Sequence, residues 1–241
     1  MGRKYANPPI LEAVCEFRLS RKTPWDITVP GLLYEKLQQE FPLREDRVVE
    51  EWKIASLRGR KRRKSPREQR AVFFTEEKNV MVALGRRLLA VHVLRSYPGW
   101  SVFKPKIAKA WECLTEITEI QGLDTIALSY INKIDLPSAE ATLKGYLNFY
   151  PFVGDRLPQD IANFMVAVES IYAEGRDRGI IALNSAVNNP RSFFLQIDYF
   201  LAQADSIPPT IALRWVEEAH SRVEEIFEGC ITEELRKQFG P

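Results

Sequence analysis

The sequence predicts an α+β protein in which antiparallel strands joined by short turns pack on a few long helices. Three observations carry this. Over Pro208–Phe239, apolar residues fall at Ala212, Trp215, Val216, Ala219, Val223, Ile226, Phe227, Cys230, Ile231 and Leu235, in steps of mostly three or four, which defines one buried helical face. Upstream segments alternate apolar and polar residues, and connections such as Glu77-Lys78-Asn79 and Gly85-Arg86-Arg87 are short enough for hairpins. Runs of strands joined in this way imply an antiparallel sheet with segregated helices rather than a parallel one. The order strand, helix, several strands, helix is read twice.

The first strand is ILEAVCEFRLS, with Ala13, Cys15, Phe17 and Leu19 on one face and Val14, Glu16 and Arg18 on the other. Pro30 opens a helix to about Phe41, stopped by Pro42. A second strand is expected over about Arg47–Ser56, then a basic segment without apolar side chains after Leu57, which cannot bury a face and reads as a protruding loop. Strands follow at Ala71–Glu76, Val80–Leu84 and Leu88–Leu94, then a turn at SYPGW and a helix over Phe103–Ile120. The second half reads as a strand over Thr125–Asp135, a helix over Ala139–Phe149 with Ser138 as its N-cap, strands at Phe164–Ala173, Arg178–Val187 and Ser192–Leu201, and the long final helix. The halves match in element order without a residue-level repeat. The architecture expected is a helix-grip or TATA-binding-protein-like pair of curved sheets packed on long helices. The two halves, 1–122 with the basic loop 57–70 and 123–241, are expected to form one compact unit.

Several separated segments, YANPPILEAVCEFR, LLAVHVLRSYPGW, LSYINKID, FLQIDYF and WVEEAH through VEEIFEGCITEELR, together resemble a sporadically distributed, uncharacterised bacterial protein family of about this length. The resemblance spans nearly the whole chain and implies a bacterial, cytoplasmic, single-unit protein. It brings no activity or catalytic residue, and the Arg58–Arg70 stretch is not among the matching segments.

At 241 residues, 45% hydrophobic and 27% charged, the chain can bury a substantial core. The start, MGRKYANPP, lacks the apolar region of a signal peptide, and no apolar run is long enough to span a bilayer, so a cytoplasmic protein without membrane contact is expected. Cys15, Cys113 and Cys230 stand far apart on apolar stripes and read as buried thiols. No glycine-rich phosphate loop, zinc-ligand spacing or G-x-S-x-G elbow is present, and no cofactor is expected.

Charge supplies the sharpest signal. Eight basic side chains, Arg58, Arg60, Lys61, Arg62, Arg63, Lys64, Arg67 and Arg70, share a short stretch with one acid, Glu68. The other residues hold 26 of the 34 basic and 31 of the 32 acidic groups, making an acidic body with one basic graft. These cations could contact phosphates with counterion release, or an acidic protein surface, including that of a second copy. The stretch has no interleaved aromatics for base stacking. Weaker candidates are Asp198 and Glu169 as strand carboxylates in a pocket, His92 in a strand, His220 with Glu224 one helical turn on, and Tyr97 with Trp100 at the SYPGW turn. For each, the ordinary structural role competes. The leading reading is a non-enzymatic binding or regulatory protein with a protein partner, and a homodimer is compatible with it. The alternatives are a nucleic-acid-binding protein using the basic loop, and a small-ligand binder or enzyme using a cavity between sheet and helix.

Overall fold

A computed structural model describes residues 5–49, 68–94, 96–138, 140–158 and 161–240. Nine strands form one curved antiparallel sheet in the order β2-β3-β4-β5-β1-β6-β9-β8-β7. They are β1 (Ile10–Leu19), β2 (Leu43–Val49), β3 (Glu68–Phe74), β4 (Val80–Gly85), β5 (Leu88–Leu94), β6 (Leu123–Asp135), β7 (Met165–Tyr172), β8 (Asp177–Ala186) and β9 (Asn189–Leu201). The helices are α1 (Val29–Leu37), α2 (Trp100–Ile117), the single turn α3 (Leu143–Tyr146), α4 (Ala212–Cys230) and α5 (Glu233–Phe239). The first strands of the halves, β1 and β6, meet at the centre, with Ala13 opposite Tyr130, Cys15 opposite Leu128 and Phe17 opposite Ile126.

One face of the sheet carries the long helices. Ala13, Cys15, Phe17 and Leu19 are buried on β1, while Val14, Glu16 and Arg18 between them are only partly covered, as the period-2 pattern requires. α2 lies against β5, α1 against α2, and α4 against β6 and β9. Phe17 stacks on Trp111 of α2 with ring centroids 4.4 Å apart. A single apolar core runs through both halves on this side.

Several boundaries differ from the sequence expectation for identifiable reasons. β2 begins at Leu43, directly after Pro42, and four charged residues, Arg44 to Arg47, hide its period because it is an edge strand with little buried surface. The part of the expected strand beyond Val49 lies outside the described residues. α2 starts at Trp100, earlier than expected, because Gly99 at φ +94° reverses the chain directly into the helix, and Pro105 sits inside it rather than at its start. The expected helix over Ala139–Phe149 shrinks to the α3 turn. Leu147 instead bridges Ile231, and the Asn148 side chain donates to the carbonyls of Gly229 and Ile231 at 3.2 and 3.0 Å, satisfying the end of α4. The final segment is two helices, not one: Ile231 is extended, and Thr232 caps α5 by accepting from the Leu235 amide.

Candidate functional site

Among the described residues the long helices all pack on the first face of the sheet, and the composition of the second face follows from strand parity. Cross-strand pairing sets one row across all nine strands: Leu43, Phe74, Met81, His92, Val14, Ser129, Asp198, Ile180 and Glu169. Three residues singled out in the sequence, His92, Asp198 and Glu169, therefore share a row on the face away from the helices. None of the three side chains stands between the sheet and its helices. Three strand spacings, about 14 Å, separate His92 from Asp198.

Each is held by a near neighbour. His92 Nδ1 lies 2.9 Å from Glu12 Oε1. Gln196, two residues along β9, donates to both Asp198 oxygens at 3.1 and 2.8 Å. Burial raises the Asp198 carboxyl above its ordinary range, opposed by hydrogen bonds from Ser129 and Gln196. Glu169 pairs with Arg178 at 3.5 Å. Arg18 pairs with Glu16 at 2.5 Å and Lys133 with Asp135 at 2.9 Å. Between these pairs stand half-exposed apolar side chains, Val14, Ile131, Ile180, Phe194 and Phe200, and a groove of about 580 Å³ opens beside Glu12, Leu94, Ile131 and Lys78.

Toward β2 and β3 the same face closes over a small second core of Val72, Phe74, Ala83, Leu88 and Ala90, with the Arg47 guanidinium 5.0 Å above the Phe74 ring. Arg70 belongs here. It is not part of a loop but of β3, opposite Arg47, with its side chain largely buried and 3.2 Å from Glu68. Arg58, Arg60, Lys61, Arg62, Arg63, Lys64 and Arg67 lie outside the described residues.

The other sequence candidates resolve into structural contacts. His220 stacks on Trp100 at 3.9 Å, meets the Tyr130 hydroxyl through Nδ1 at 3.3 Å, and reaches Glu224 through Nε2 at 3.4 Å. The Tyr97 and Tyr130 hydroxyls are 3.1 Å apart, so the SYPGW turn ties the start of α2 to β6 and α4. Burial pushes the Tyr97 phenol up to about 12. All three cysteines are buried thiols, and burial raises Cys230 to about 12. Among the described residues no group of three or more His, Cys, Asp or Glu is placed to hold a metal ion. No helix of the described residues is long and apolar enough to cross a membrane.

Sequence reading missed Asp177. Fully buried at the start of β8, it accepts from Tyr199 Oη and Trp215 Nε1, both at 3.1 Å, and pairs with Arg176 at 2.6 Å, joining β8, β9 and α4. A cavity of about 340 Å³ lies over it, walled by Tyr172, Ser221 and the Arg222–Glu225 pair. In the sequence Asp177 is one polar residue in a polar turn, without a pattern to mark it. No protein-family model matches the chain, and no curated protein does.

Proposed function

We propose that this is a binding protein that engages a protein partner through the open face of its sheet. The observation that carries the reading is the pairing of cations on that face. On β1, β6, β9, β8 and β7, Arg18, Lys133 and Arg178 each sit against a carboxylate, and Glu12 and Asp198 stand beyond those pairs. A sheet that reads nucleic acid needs cations committed to phosphates. This face offers apolar side chains and net negative charge instead, which suits a protein surface of apolar and basic residues. The groove beside Glu12 supplies a concave seat for an anchoring side chain.

The architecture belongs to the same proposal. In each half the chain passes from the seam strand, β1 or β6, to the far edge, β2 or β7, then runs back inward to β5 or β9 and into a long helix on the same face, α2 or α4, which supports a helix-grip or TATA-binding-protein-like arrangement of two related halves.

The test is affinity purification of the full chain from its native host with nuclease treatment, comparing wild type with Ile180→Arg, with Val14→Asp, and with a variant in which the seven basic residues from Arg58 to Arg67 are alanine. The reading expects a protein retained after nuclease, lost with either open-face variant and kept by the alanine variant. Recovery of nucleic acid that requires the basic residues would overturn it in favour of the nucleic-acid reading.

A further inference from the structure

The two edges of the sheet differ in chemistry. β2 carries Arg44, Glu45, Asp46 and Arg47, the charged guard usual on an edge strand. β7, with the sequence MVAVESIY, has no lysine, arginine or proline, and pairs with β8 without a bulge. Met165 is 74% exposed, Ile171 69% and Val168 45%. A regular, apolar edge of this kind is a template for another strand.

Its hydrogen-bonding parity can be read from the neighbours. The Ser185 amide donates to the Phe164 carbonyl, and the Ala202 amide to the Arg176 carbonyl. In antiparallel ladders the bonding pairs alternate, so Val166, Val168, Ser170 and Tyr172 bond to β8. Met165, Ala167, Glu169 and Ile171 therefore turn their amides and carbonyls outward.

We infer that β7 pairs antiparallel with β7 of a second copy, about a two-fold axis at Val168, to make one sheet continuous through two chains. The sequence of the strand favours this register. Centring on Val168 sets Met165 opposite Ile171 twice and Ala167 opposite Glu169 twice, with Val168 facing itself. Every outward amide and carbonyl then has a partner, in four pairs with about eight N–H···O=C bonds. Centring on Glu169 would set two carboxylates face to face, and centring on Ala167 would put Met165 against Glu169; both are poorer pairings. Self-complementarity of this kind is what an isologous interface requires, and it selects a second copy over an unrelated extended peptide. This pairing uses the sheet edge and stands apart from what docks on the open face.

Sedimentation or light scattering of the purified full chain tests it. The expected mass is about twice 27.8 kDa at micromolar concentration. Ala167→Pro removes an outward amide without touching a β7–β8 bond, and Ile171→Lys sets a lysine against Met165; each should give a monomer with unchanged circular dichroism, while Ile180→Arg should remain dimeric. Register is read by mild oxidation: Val168→Cys should crosslink alone, because non-hydrogen-bonded partners sit about 4.5 Å apart at Cα, within disulfide reach. Val166→Cys should crosslink only when mixed with Ser170→Cys. A monomeric wild type, as an edge reserved for a foreign peptide would leave it, or a dimer indifferent to Ala167→Pro and Ile171→Lys, overturns the inference. A crosslink from Glu169→Cys alone would overturn the register.

Discussion

Asp177→Ala tests the argument that one buried carboxylate holds the C-terminal half together. The change removes the acceptor for Tyr199 Oη and Trp215 Nε1 at 3.1 Å and the partner of Arg176 at 2.6 Å. A buried donor left without a partner costs about 1–3 kcal/mol, and breaking a buried ion pair about 3–5 kcal/mol. The Arg176 side chain is 32% exposed and recovers part of its loss from water, which places the total near 3–4 kcal/mol. For a chain of this length each kcal/mol moves the melting temperature by about 2–4 °C, so a fall on the order of 10 °C is expected. Urea titration followed by tryptophan fluorescence, with calorimetry, measures it; Trp215→Phe should cost about 1 kcal/mol alone and much less on top of Asp177→Ala, since the two share one hydrogen bond. A loss below about 1 kcal/mol with an unchanged denaturant slope, or full additivity in the double variant, would refute the reasoning.

Two further outcomes follow from the same geometry. Burial holds the folded Asp198 carboxyl above its unfolded value, so the unfolded chain releases that proton first and stability is lost as pH rises from the ordinary carboxylate range through the folded pKa. Asp198→Asn should flatten the stability curve across that window and gain on wild type above it; superimposable curves from parallel urea titrations would contradict the assignment. Asn148→Ala should cost about 0.5–1 kcal/mol and speed hydrogen exchange around 146–148 and 230–232, where its side chain now bonds Gly229 and Ile231.

The parts of the fold legible in the sequence are those set by burial on one face. β1, β4, β5, β6, β8 and β9 alternate or run apolar because each sends side chains into the main core, and α4 shows its stripe because it covers β6 and β9. Legibility fails where hydrogen bonding, not burial, makes the decision. β2 is charged on both faces, and the α4–α5 break rests on Thr232 and the Leu147–Ile231 bridge. His92, Asp198 and Glu169 were visible as titratable residues in strands, but their common row follows only from strand order, in which β1 and β6 bring the halves together. Arg70 looked like one of eight loop cations because local charge cannot tell that its neighbour Glu68 shares β3 with it.

The ends of the sheet divide the chain's chemistry. The charged edge is β2, and the basic residues from Arg58 to Arg67 stand in sequence between it and β3. At the far edge, β7 is apolar with one acid, and between them lies a face whose cations are already matched. Self-pairing at β7 would set β3 and β2, the strands on either side of each basic segment in sequence, eighth and ninth from the join in each copy, and would double the open face without covering it. A partner contacting both copies would then gain by effective concentration rather than by new contacts, so its affinity should fall sharply with Ala167→Pro although that residue never touches it. Open-face contacts made within one copy would leave affinity unchanged in the same variant.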